Sequence, residues 1–213
     1  ATPAAIGDGS TDTWEVFQCQ TAELIAPQTY LLSGRLRGQA GSDAVMPEVW
    51  PEGSQFVLLN GVPLQIDQSR NLRNVVQNYR IGPASKPVGD PSFRQSEHAF
   101  AGNGLRPYRP AHLNGQLHQD GNLALTWVRR TRIDGDPWDA LEVPLGEETE
   151  SYVLRVINEG AVLREEVLNA PVFDYTAAQR AADGVLPPFT VEVAQLSASF
   201  GPGPANQLMI TTL

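Results

Sequence analysis

Cysteine is nearly absent from this chain. Cys19 is the only one, so no internal disulfide can form and the fold has to hold by packing. Cys19 itself reads as a small buried apolar side chain on a strand. Long apolar runs are missing too: none approaches the roughly 20 residues of a membrane helix, so no bilayer-spanning segment is expected. Basic residues are few, 15 Lys and Arg against 24 Asp and Glu, for a formal charge of −9. Counterion release needs clustered cations, so this balance argues against a phosphate-binding surface and against nucleic-acid sequence recognition. The opening Ala1 to Asp12 has no initiator Met and no basic stretch followed by an apolar one. It reads as a linker cut from a longer polypeptide, not as a signal peptide.

Chemistry-bearing motifs are equally scarce. Ser33-Gly34 and Ser199 to Gly201 do not make a G-x-S-x-G elbow, and Gly102-Asn103-Gly104 lacks the lysine and the strand-to-helix setting of a phosphate loop. His98, His112 and His118 are the only histidines. None has the close spacing to a second ligand that zinc sites show. His112, His118 and Asp120 could meet across a loop, but surface or interdomain histidines are the ordinary reading. No catalytic residue and no cofactor is expected.

What the chain does have is punctuation. Its 19 glycines and 17 prolines are scattered without a period, marking many turns between short elements and favouring an all-β fold. Strands are expected from Trp14 to Leu24, Tyr30 to Gly38, Val75 to Ile81, Leu123 to Val128, Tyr152 to Ile157, Val162 to Leu168, Phe189 to Gln195 and Asn206 to Thr211. Leu123, Leu125 and Trp127 share one face and should be core. Phe56–Leu59 and Val62–Ile66 flank Asn60-Gly61 and read as a tight hairpin. Residues 82–110 are rich in proline and glycine with little periodicity, which places a domain boundary near Pro107 to Pro110. The expected division is a linker over 1–12, a β-rich domain over 13–108 and a β-sandwich over 109–213. Thr176 to Ala182 is the only helical suggestion, about two turns long.

A few residues stand out as contact candidates. Trp50 and Trp138 each sit beside proline in loop-like contexts, where an indole can dock on a neighbouring subunit, stack on a sugar, or plug its own loop. Arg129, Arg130 and Arg132 form the densest basic patch. They would either pair with the nearby Asp134 and Asp136 or dock a partner. Asp134, Asp136 and Asp139 have the oxygens of a calcium loop but not the later Glu or the helix of an EF-hand; the plain reading is a solvated acidic turn. Glu147-Glu148-Thr149-Glu150 likewise reads as a solvated loop rather than a catalytic pair. Residues from 109 onward carry 7 basic and 14 acidic side chains, net −7, against 8 and 10, net −2, before them. The acidic second half would repel anionic polymers unless cations bridge them.

Pro110 before the first strand, Trp127 on the second, Tyr152 on the third and Phe189 to Ser197 ahead of the glycine turn resemble a fibronectin type III domain. The expected fold is therefore a small amino-terminal β domain followed by a fibronectin type III-like β-sandwich. A longer resemblance runs through Trp14 to Gln18, Tyr30 to Ser42, Gly53 to Leu59, Trp127 to Arg132 and Asp136-Pro137-Trp138. These segments resemble the carboxy-terminal region of the large tail-tip protein of gene transfer agents and related siphophages. That resemblance implies a tail-tip or baseplate-hub location in the virion or gene transfer agent particle, with assembly in the bacterial cytoplasm. It also implies a homotrimer around the tail axis, other tail-tip or baseplate proteins as partners, and a role in host contact or DNA delivery. It carries over no catalytic residue, so a non-catalytic structural and attachment module is expected. The alternatives are a carbohydrate-binding module reading a host surface glycan, and a cell-wall or polysaccharide hydrolase.

Overall fold

The computed structural model describes residues 3–61, 63, 64, 66–135 and 143–213. Its strands pair antiparallel throughout, and two compact units divide the chain, Ala1–Gly104 and Leu105–Leu213. The fold is all-β.

In the first unit, strands β1 (Pro3–Gly7), β2 (Trp14–Ala26), β3 (Thr29–Gln39) and β4 (Gln55–Leu58) form one sheet in the order β3-β2-β1-β4. Two further strands, β5 (Gln77–Ile81) and β6 (Arg94–His98), pair as a separate ribbon. Three expectations need correction. Pro3–Gly7 is a central strand rather than linker: Ala4 and Ala5 are buried between β2 and β4, and such small side chains leave no bulky alternation to read. The segment around Asn60-Gly61 is not a hairpin. β4 pairs with β1, while Pro63, Leu64 and Ile66 belong to no strand, and Pro63 has no N–H to give to a ladder. Val62 and Gln65 lie outside the described residues. Finally, Arg94–His98 is a strand within the stretch expected to be irregular. Its five polar residues carry no apolar period, and the ladder to β5 supplies its order instead.

The second unit contains β7 (Ala111–Leu117), β8 (Leu123–Val128), β9 (Tyr152–Asn158), β10 (Ala161–Leu168), β11 (Val172–Tyr175), helix α1 (Ala177–Asp183), β12 (Phe189–Ser197), β13 (Gly201–Pro202) and β14 (Asn206–Ile210). A sheet ordered β11-β8-β7 faces one in which β10, β9 and β12 are continued by β14 and β13. Three strands over four, apart from the two-residue β13, make a fibronectin type III-like sandwich. The expected face of β8 is core: Leu123, Leu125 and Trp127 are buried with Tyr152, Leu154, Val156, Phe189, Val191 and Val193. The Trp127 and Tyr152 rings meet edge-on, with centroids 5.3 Å apart.

Helix α1 forms because Thr176 and Gln179 make a reciprocal capping box, and it stops at Gly184 in the left-handed conformation. A polar cluster fastens it to the sandwich. Arg164 of β10 donates through Nε and Nη2 to Asp183 at 2.7 and 2.9 Å, and the Tyr175 hydroxyl donates to Asp183 at 2.6 Å. The Arg164 hydrogen bonds hold the Asp183 carboxyl below its ordinary range. Burial, followed by the bond to Asp183, pushes the Tyr175 hydroxyl up.

Candidate interaction surface

The first unit is organised around one buried carboxylate. Glu15 is 1% exposed and lies on the same face of β2 as Phe17. Arg37 of β3 clamps it with both arms of its fork, Nε to Oε1 at 2.9 Å and Nη2 to Oε2 at 2.7 Å. The Trp50 indole N–H donates to Oε2 at 2.6 Å, and the Gly38 N–H to Oε1 at 3.2 Å. Gly38 stands at φ +64, where a Cβ would lie 2.8 Å from that of Asp43, so this close approach needs glycine. Arg37 also donates to the carbonyls of Pro47 and Glu48, both at 2.8 Å. Burial pushes the Glu15 carboxyl up, but the bonds from Arg37, Trp50 and Gly38 outweigh it and leave the group below the ordinary glutamate value. The latch ties the loop carrying Trp50 to the sheet. Trp50, a contact candidate from sequence, is half-buried with its polar tip engaged inside its own unit.

Beyond the latch, β2 and β3 run on as a two-stranded arm. β1 pairs with β2 only over Trp14 to Gln18, whereas β2 and β3 stay paired to Ala26 and Thr29. Opposite residues share a face. Ala22 with Leu32 and Leu24 with Tyr30 make one uncharged face, while Thr21 with Ser33 and Glu23 with Leu31 lie on the other. The Thr21 and Ser33 hydroxyls are hydrogen-bonded across that second face. Leu24, Ile25, Tyr30, Leu31 and Leu36 are each more than half exposed. An isolated two-stranded ribbon is marginal in water, and this one carries apolar side chains that the described residues leave more than half exposed.

The same imbalance marks the whole first unit. Among the described residues its buried apolar side chains are Ala4, Ala5 and Phe17, whereas the main core cluster belongs entirely to the second unit. On β4, Phe56, Val57 and Leu58 are all exposed.

The remaining candidates lie in the second unit. Arg129 donates to the carbonyls of Pro144 and Val143 at 2.8 and 2.9 Å. Arg130 lies over the Tyr108 ring, 5.0 Å from its centroid. Arg132 pairs with Glu147 at 2.9 Å, and the Glu147 side chain is only 3% exposed. Glu147 is thus a buried partner rather than part of a solvated loop, a correction that spacing could not supply. Glu150 accepts from the Tyr152 hydroxyl at 2.7 Å. Asp134 is exposed at a turn with φ +46; Asp136, Asp139 and Trp138 lie outside the described residues. Among the described residues no group of three or more His, Cys, Asp or Glu side chains is arranged to hold a metal ion. His112 is the second residue of β7 and His118 follows its end, about 20 Å apart at strand rise, so they do not meet. His98 packs against Tyr79 and Phe100. No helix among the described residues is long and apolar enough to cross a membrane.

Fold and surface together define an all-β chain with a well-packed fibronectin type III-like sandwich and a first unit rich in uncovered apolar side chains. A family model described as Rcc01698-like, C-terminal, matches residues 1–57, which run from β1 into β4. The match covers about a quarter of the chain, so its bearing is on the first unit alone. No curated protein matches. Among solved structures the chain is similar to domains d3–d4 of the rat CD45 extracellular region. That likeness has 11% identity, 90% of this chain and 94% of the other covered, and a TM-score of 0.37.

Proposed function

We propose that this chain is a non-catalytic structural and attachment module of a phage-like tail tip, working through assembly with other tail-tip or baseplate subunits and further copies of itself. The observation that carries the reading is the first unit's surplus of exposed apolar surface, concentrated on the β2–β3 arm. Each of its five large exposed side chains has roughly half its area still to bury, worth about 1 kcal/mol apiece before the entropic cost of association. A unit built this way is completed by its neighbours. The matching family model supports the tail-tip setting, because it covers this same sheet and agrees with the tail-tip resemblance of Trp14 to Gln18 and Tyr30 to Ser42. The sandwich then serves as a rigid spacer or presenting domain.

Sedimentation of the chain, alone and mixed with purified tail-tip hub proteins, tests the proposal. Concentration-dependent association, or a complex with a hub protein, is expected, and Leu24→Ser with Tyr30→Ser should abolish it while the circular dichroism stays unchanged. A monomer that ignores the hub proteins at high concentration overturns it.

A further inference from the structure

Between the β1–β2 turn and the end of β6, the first unit opens a cleft of about 290 Å³. Phe100, 42% exposed, lines it. Two neighbouring rings hold the Phe100 ring: Tyr79 meets it edge-on with centroids 6.2 Å apart, and His98 lies 6.1 Å away at 34°. The Phe100 carbonyl is also held, accepting the Asn74 N–H at 2.9 Å. Residues whose side chains accept hydrogen bonds line the same cleft: Thr11, Asp12, Glu97 and Asn103.

A part-exposed aromatic side chain held by its neighbours, beside residues that carry acceptor groups, matches a molecule that is apolar on one face and hydroxylated around its rim. That is the chemistry of a pyranose ring, whose C–H face stacks on an aromatic ring while its hydroxyls donate to carboxylates and amides. Two carboxylates in the cleft disfavour an anionic sugar. The volume is at the lower edge of the roughly 300–1,000 Å³ typical of small-molecule sites, enough for one sugar residue. We propose that this cleft binds a single neutral hexopyranose residue, with Phe100 as the stacking platform and Asp12, Glu97 and Asn103 as hydroxyl partners. The site is separate from the β2–β3 arm, so sugar binding and subunit assembly can fail independently.

Amide chemical shifts of the full chain, titrated with methyl β-glucopyranoside, methyl β-galactopyranoside and methyl β-glucuronide, test the proposal. Saturable millimolar binding of at least one neutral glycoside is expected, with shifts confined to the β1–β2 turn and residues 97–103, and no binding of the glucuronide. Phe100→Ala should weaken binding by about fivefold or more, and Phe100→Trp should keep it. Asp12→Asn with Glu97→Gln, at exposed positions that leave the ring cluster intact, should admit the glucuronide. Absence of saturable binding by both neutral glycosides overturns the inference. So do shifts elsewhere on the chain, unchanged affinity in a folded Phe100→Ala variant, or continued exclusion of the glucuronide by the neutralised pair.

Discussion

Replacing Glu15 by glutamine keeps the shape of the latch and removes its charge. The carboxylate accepts four hydrogen bonds, two from Arg37 and one each from Trp50 and Gly38. A glutamine offers one acceptor oxygen and turns an N–H₂ group toward donors, so about half of these bonds are lost. Bonds to a charged group contribute about 1.5–3 kcal/mol each. The Arg37 side chain is 26% exposed and recovers some water when released, which places the expected loss at about 2–3 kcal/mol. For a unit of this size that corresponds to a fall in Tm on the order of 10 °C. Because the chain divides into two compact units, the assay is urea unfolding followed by NMR, reading β2 and β12 amides independently. Only the β2 transition should move. The pH dependence gives a second check. The folded-state Glu15 carboxyl lies below the ordinary value, so its contribution is complete above the unfolded pKa of about 4.3 and is lost as pH falls through the lower folded value. The gap between wild type and Glu15→Gln should therefore shrink in acid. A shift below about 0.5 kcal/mol, or a gap independent of pH, refutes the latch.

Other consequences follow from the same structure. Asp183→Asn removes the charge on which Arg164 and Tyr175 converge and should cost the second unit about 2–3 kcal/mol in urea unfolding, leaving the β2 transition in place. Leu125→Ala deletes a fully buried side chain between the two sheets and should cost about 3 kcal/mol or more by the same measurement. Trp50→Phe keeps the ring but loses one bond to Glu15; a cost of about 1–2 kcal/mol is expected, and combining it with Glu15→Gln should be clearly non-additive.

Much of the second unit was readable because its strands alternate. Leu123, Leu125 and Trp127 announce β8, and Asn158-Glu159-Gly160 separates β9 from β10 where the structure places their turn. The strands β1 and β6 were not readable, since Ala4 and Ala5 are too small and Arg94 to His98 too polar to show a buried face. The capping box of α1 was present in Thr176 and Gln179, a signal the short helical run overshadowed. The latch was hidden for a different reason. Glu15, Arg37 and Trp50 are each ordinary in their own segments, and only the β2–β3 register and the loop to Trp50 bring them together. The partner of Arg132 was hidden in the same way. A run of glutamates at 147–150 reads as solvated until the fold buries Glu147 against the guanidinium. The cleft beside Phe100 depends on three aromatic rings from two strands and the segment after them, so no local motif marks it.

On the proposed function, neighbouring subunits complete the first unit through its β2–β3 arm. Hydrogen exchange on the free chain and on the same chain mixed with purified tail-tip hub proteins tests the proposed assembly role. Rapid exchange is expected at the arm, residues 19–36, in the free chain, with strong protection there on assembly and little change in the sandwich core. Equal protection of the arm in both states, or protection on assembly confined to the second unit, would contradict it.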